Sequence, residues 1–281
     1  MGIALGLLSA LLWGIAGVTG GLAARRLGGM RAVGYSMLIS VLVAVPLALA
    51  TGMPGRIDPR AILWLLLVAG TGIGGLMLLY TAIRMGKIST LVPISGTYGG
   101  FGAVIAILLG EPTSALAFAG LALAVVGAVL ATRGDVSTPG VEYPHQTKAA
   151  LLAGGAALAW GVQLWAGGEI QDDVGASWVV AFMRVLGVLA FSIPILMRGP
   201  LVRDRRAFGF AAITGIGEVC GFTLFLVASE YGVAQASVLT GQYGTVAALI
   251  GVLILKERLR AVQFVGLALI VVAVVLLALP G

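Results

Sequence analysis

The chain has 281 residues, 60% of them hydrophobic and only 10% charged, with 43 glycines. Soluble domains carry about 25% charged residues and about 7% glycine, and a mean hydropathy of +1.10 leaves no soluble fold able to hide this much apolar surface. A soluble enzyme or nucleic-acid-binding domain is therefore excluded, despite a net charge of +6; the composition is that of a polytopic membrane protein.

A spanning helix needs about 20 apolar residues. Breaks at charges, prolines and glycine clusters divide the chain into ten such runs: 2–24, 32–51, 61–83, 88–109, 114–132, 148–168, 176–197, 207–229, 233–255 and 260–279. The first run has no basic segment before it and is long enough to span, so it reads as a retained helix rather than a cleaved signal. It carries Trp13; the second carries Ser36. In the third, Gly70-Thr71-Gly72-Ile73-Gly74-Gly75 fits the dinucleotide fingerprint but lacks the strand–turn–helix context and the downstream acid. It is read as helix packing, and Tyr80 beyond it as a cavity residue. The fourth run holds Pro93 and then Ser95-Gly96-Thr97-Tyr98. Polar side chains beside glycine, one turn after a proline that removes a backbone donor, mark a place where a helix can open onto a cavity.

Residues 133–148 form the longest polar stretch and link two halves. The sixth run carries Trp160 and, one turn on, Gln163; the seventh Arg184; the eighth Glu218 and the single cysteine, Cys220; the ninth Thr240-Gly241-Gln242-Tyr243. Glu169, Asp172 and Asp173 sit in a loop and are expected to be solvated, while Glu111 and Glu257 sit at turns and read as caps or local pairs. One cysteine permits no intrachain disulfide. The only histidine, His145, is in the linker, and no phosphate-binding Gly-Lys-Ser/Thr is present, so neither metal nor cofactor is expected.

The halves repeat. Gly120–Val126 returns as Gly266–Val272 with one substitution, Trp13-Gly14 returns as Trp160-Gly161, and Gly110-Glu111 aligns with Lys256-Glu257. The expected organisation is a first five-helix repeat over 1–133, a linker over 134–147 and a second repeat over 148–281. Five is odd, so the second copy enters the bilayer from the opposite face; such inverted repeats frame a mid-membrane site in transporters. Of the 17 Lys and Arg residues, Arg56 and Arg60 alone fall in even-numbered loops and Arg184 lies inside a span. The rest crowd the odd loops, which the positive-inside rule makes cytoplasmic, leaving both termini outside.

Ten spans as five plus five, Trp-Gly in the first span of each half, Gly-Glu or Lys-Glu after the fourth, and the repeated Gly-Leu-Ala-Leu-x-Val-Val of the fifth together resemble the drug/metabolite transporter superfamily, specifically its ten-helix EamA-type branch. The resemblance covers nearly the whole chain. It implies an all-α membrane fold with a central cavity lined by the first four helices of each half, a peripheral fifth helix that supports dimers, and an Arg in the second helix of a half. Arg184 matches that position in the second half; Ser36 stands near it in the first, so the cavity is expected to be asymmetric.

An Arg near mid-depth costs about 2.5 kcal/mol or more unless it finds a partner or water. Arg184 is therefore the sharpest site candidate against a bland alternative of snorkelling to the headgroups. Glu218, among glycines, either pairs with Arg184 as a gate or carries a coupling proton; the bland alternative is a static pair. Trp13, Trp160, Gln163, Tyr98, Tyr243 and Gln242 are expected to line the cavity, with Ser95 and Tyr80 as weaker members. The favoured function is secondary transport of a small polar or amphipathic, amino-acid-like metabolite by alternating access. A proton-coupled exporter of lipophilic cations is the alternative, and an intramembrane enzyme is disfavoured for want of a base at depth. Expected partners are the substrate, the bilayer, a coupling proton and a second copy through spans five and ten, but no nucleic acid. The expected location is the cytoplasmic membrane of a prokaryote.

Overall fold

In the computed structural model the described residues are all-α, and their helices follow a ten-span fold of two inverted five-helix repeats. The structure describes residues 1–52, 54, 58–85, 91, 94–131, 145–197, 204–246, 250 and 261–278. Pro93, Glu257 and most of the linker lie outside that set. The first repeat contributes α1 (Gly2–Leu27), α2 (Gly29–Ala50), α3 (Pro59–Met85), α4 (Tyr98–Leu108) and α5 (Ala115–Ala131). From the second come α6 (Gln146–Val174), α7 (Ala176–Gly187), a π-helical turn (Val188–Ser192) leading into α8 (Ile193–Met197), α9 (Arg205–Ser229), α10 (Val233–Thr240) and α11 (Ala261–Ala278). Among the described residues six stretches are long and apolar enough to cross a membrane by themselves: α1, α2, α3, α6, α9 and the continuous run from α7 through α8.

The boundaries have local causes that recur in both repeats. α1 stops at Gly28 and α6 at Gly175, each with positive φ, a backbone state that glycine reaches without strain. α3 and α9 start at equivalent aspartates. Asp58 Oδ1 accepts the Ala61 N–H at 2.7 Å, and Asp204 Oδ1 accepts those of Arg206 and Ala207 at 2.9 and 3.1 Å, satisfying donors that the helix itself leaves open. Asp204 also pairs with Arg26 at 3.1 Å, tying the end of α1 to the start of α9.

Two of the ten spans are broken where polar residues sit beside glycine. Around Gly96-Thr97, before α4, and at Gly241-Gln242, after α10, the chain leaves the α-helical pattern for a turn. Thr97 and Gln242 then bond back three residues, to Ile94 O and Leu239 O, at 3.2 and 3.1 Å.

Packing exchanges helices between the repeats. α1 lies along α9, and α3 along α6; α4 and α10 cross in the middle, and α5 pairs with α11 to one side. Small residues carry the contacts, since lipid offers no hydrophobic drive for association. The interior is rich in Ala and Val, while Leu42, Leu63, Leu108 and Leu151 point outward, the distribution expected where the surroundings are acyl chains. Gly127 touches Gly266 O and Ile270, so these two glycines meet within one chain.

Candidate functional site

A cavity of about 500 Å³ lies between α1, α2, α3, α6, α7 and α9, large enough for a small metabolite. Its lining runs from Trp13 and Trp160 at mid-helix to Ala24, Gly29 and Leu79 near the helix ends, which sets its mouth at the end of the bundle bearing Arg25 and Arg26.

The floor is aromatic. Tyr98 is central, with ring centroids 6.2 Å from Trp13, 6.0 Å from Trp160 and 5.6 Å from Tyr243, and Phe222 adjoins Trp13 at 5.9 Å. The two tryptophans are held in the same way. Trp13 Nε1 donates to Glu218 O at 3.4 Å and Trp160 Nε1 donates to Gly72 O at 3.2 Å, so each indole braces the opposite repeat at equivalent positions. Each also lies on a glycine: a first side-chain carbon at Gly221 would stand 2.5 Å from Trp13 Cδ1, and one at Gly75 would stand 2.6 Å from Trp160 Nε1. The Gly70–Gly75 stretch is thus the seat of Trp160, in keeping with its reading as packing.

The charge is on one wall. Arg184 Nη2 donates to Glu218 Oε2 at 3.0 Å and to Glu218 O at 3.2 Å. The side chains are unequally exposed, 11% for Arg184 and 39% for Glu218. Arg184 Nε has no partner among the described residues. Pairing answers how an Arg tolerates this depth: neither charge stands alone. Beside the pair, on α2, Ser36 lines the cavity with its hydroxyl donating to Ala32 O at 2.8 Å, and Ser40 donates to Gly215 O at 3.0 Å, so α2 adds polar, uncharged groups here.

Seven of the residues singled out in the sequence therefore come together: Trp13, Tyr98, Trp160, Gln163, Arg184, Glu218 and Tyr243. Gln163 Nε2 donates to Met183 Sδ at 2.8 Å; thioether sulfur is a weak acceptor, so this donor can be given up to a better one. Ser95 and Gln242 do not line this cavity. Gln242 is buried at the break after α10, where Nε2 donates to Val238 O at 3.1 Å and Ala124 O at 3.4 Å, and Oε1 accepts from Thr245 at 3.4 Å. Tyr80 is in α3, and its side chain lies outside the described residues. Thr214 and Phe222 also line the cavity. They stand four residues either side of Glu218, so helical spacing from that acid was the signal that could have found them.

Comparison with known proteins fits this architecture. The model of the EamA-like transporter family matches residues 1–133 and 147–279. The chain belongs to that family. It is 26% identical over 287 aligned residues, covering 99% of this chain and 98% of the other, to a protein described as an uncharacterized transporter from Archaeoglobus fulgidus. A solved chain described only as the crystal structure of a protein superposes with a TM-score of 0.81 over 99% of this chain and 96% of that one, at 19% identity, a likeness of fold. This EamA-like chain is thus a membrane transporter in general terms.

Proposed function

We propose that the protein is a secondary transporter of a small, amino-acid-like metabolite and that the cavity above the Tyr98 floor is its binding site. The carrying observation is the Arg184–Glu218 pair set in the wall of an otherwise apolar and aromatic chamber. Glu218 presents its carboxylate to the cavity and takes an ammonium group; Arg184, engaged through Nη2 alone among the described residues, has further N–H groups for a carboxylate. Trp13, Trp160 and Tyr243 take the apolar portion, and Gln163 supplies a neutral donor. The basic odd loops assign the mouth to the cytoplasm. Access alternates as the exchanged pairs α1–α9 and α3–α6 rock about the site. A homodimer through α5 and α11 would use their outward residues, such as Val126 and Val271, because Gly127 and Gly266 are already in contact.

A second reading, proton-coupled export of lipophilic cations, is favoured by the greater exposure of Glu218 than of Arg184. A thermal-stability screen of the purified protein against amino acids, phosphorylated metabolites and organic cations separates the two. A ligand of the folded state raises the melting temperature by mass action. Stabilisation by zwitterions or anions that is lost in Arg184→Ala supports the first reading; stabilisation by cations that is lost only in Glu218→Gln replaces it with the second. Flux unchanged in both Arg184→Ala and Trp160→Ala would reject this site.

A further inference from the structure

The end of the bundle opposite the cavity mouth carries a contact that substrate binding does not use. α10 begins at Gly232, whose φ is 130°. Glycine suits that backbone state but has no side chain to cap the helix. The cap comes from the other repeat: both carboxylate oxygens of Glu111 accept the Ala234 N–H, each at 3.0 Å.

Glu111 is firmly presented. Gly110 turns the chain out of α4 at a φ of 108°. The N–H groups of Gly110 and Glu111 bond back to Ile107 O at 3.1 Å and Ala106 O at 3.0 Å, the paired closure that ends a helix at a positive-φ glycine. The receiving side is as tight, since a first side-chain carbon at 232 would lie 3.0 Å from Glu111 Oε1. α10 is also the element that fills this end. It meets α1 where Leu239 packs on Gly6, and α4 where Ser237 O packs on Gly99.

We propose that Glu111 is a latch for α10: the cap it supplies across the repeat boundary holds this end of the bundle shut, and parting of the α10 N-terminus from Glu111 is the step that opens it. A carboxylate at a helix N-terminus satisfies open N–H donors and meets the positive end of the helix dipole. Losing it therefore weakens the closed arrangement selectively. The inference rests on the alternating-access reading above.

The test uses the full chain with Cys220→Ser and one reporter cysteine at a time, Ser237→Cys at the sealed end or Ala24→Cys near the mouth, labelled with a polar maleimide. The latch predicts that Glu111→Ala raises the Ser237→Cys labelling rate roughly fivefold, the worth of one typical cap, and lowers that of Ala24→Cys. Glu111→Gln, which keeps an acceptor oxygen, falls between and decides the matter if the alanine variant does not fold. Unchanged labelling of Ser237→Cys in both variants overturns the latch, as does a rise at both reporters, which marks general loosening. If Ser237→Cys labels slowly in the Glu111 parent and no faster in the variants, the latch alone fails. If it labels in neither parent nor variants, alternating access fails with it.

Discussion

Removing either partner of the Arg184–Glu218 pair should cost stability, but by unequal amounts, because the partners are unequally exposed. Consider Arg184→Met, Glu218→Met and the double variant, which replace charge with apolar bulk. Glu218→Met strands a guanidinium that is 11% exposed and that cannot shed its proton. Stranding a buried charge costs about 3–5 kcal/mol. Arg184→Met instead leaves a carboxyl that is 39% exposed toward the cavity. That group can be solvated from the cavity, so the cost stays near the ~1 kcal/mol of an exposed pair. The double variant strands nothing, and its loss should be closer to that of Arg184→Met than to the sum of the single losses. Equilibrium unfolding of the purified proteins in mixed micelles gives the three differences. If Arg184→Met is as destabilising as Glu218→Met, the argument from the group left behind is wrong.

Three further outcomes are expected. Gly75→Ala places a methyl group against the Trp160 indole and should weaken or abolish the thermal shift given by a ligand of the site, at a stability cost of about 1–3 kcal/mol; Gly221→Ala should do the same through Trp13, and an unchanged ligand shift in both would separate the indoles from binding. Gln242→Leu loses the side-chain bonds at the break after α10 and should lower stability by about 1–3 kcal/mol while leaving the ligand concentration for half-maximal stabilisation unchanged; a weakened ligand response would return Gln242 to the cavity. The Ala207 N–H and Arg26 hold the Asp204 carboxyl below the ordinary aspartate range. Its folded value is depressed, so its contribution is present above the unfolded value and is lost as pH falls below about 4 through the folded one. Melting curves of Asp204→Asn against the parent should therefore converge as pH falls through that window, and a constant gap would refute the assignment.

The ten spans were legible because each must carry enough apolar residues to cross the bilayer, and the repeat because Gly120–Val126 and Gly266–Val272 are nearly the same words. Arg184 and Glu218 were legible as costly charges at depth, and the structure puts them in contact. The breaks near Gly96 and Gly241 were marked by polar residues beside glycine. What escaped is contact between distant segments. Nothing in a single sequence says that Trp160 lies on Gly75 and Trp13 on Gly221, or that Gln242 turns to Ala124 O rather than to the cavity. Glu111 was read as a local cap or pair; it caps a helix, but one 123 residues away, and a cap on α10 is not visible from spacing as a capping box on its own helix would have been. The helix starts at Asp58 and Asp204 were missed although both carry a standard signal, an acid just before the apolar run.

The exchange of helices between repeats also governs how the protein can be made. Ser9 donates its hydroxyl proton to Gly221 O at 2.7 Å, across 212 residues of chain. When the ribosome has delivered the first five helices, α1 is in the membrane but its partner does not yet exist, and the small-residue face meant for α9 is turned to lipid. Only when α9 follows does that face close, while α3 has already found α6. The two copies cannot mature one after the other like beads on a string. Assembly waits for α9, the eighth of the ten spans, and a chain stalled before it would present an unfinished glycine-lined groove to whatever in the membrane clears incomplete proteins.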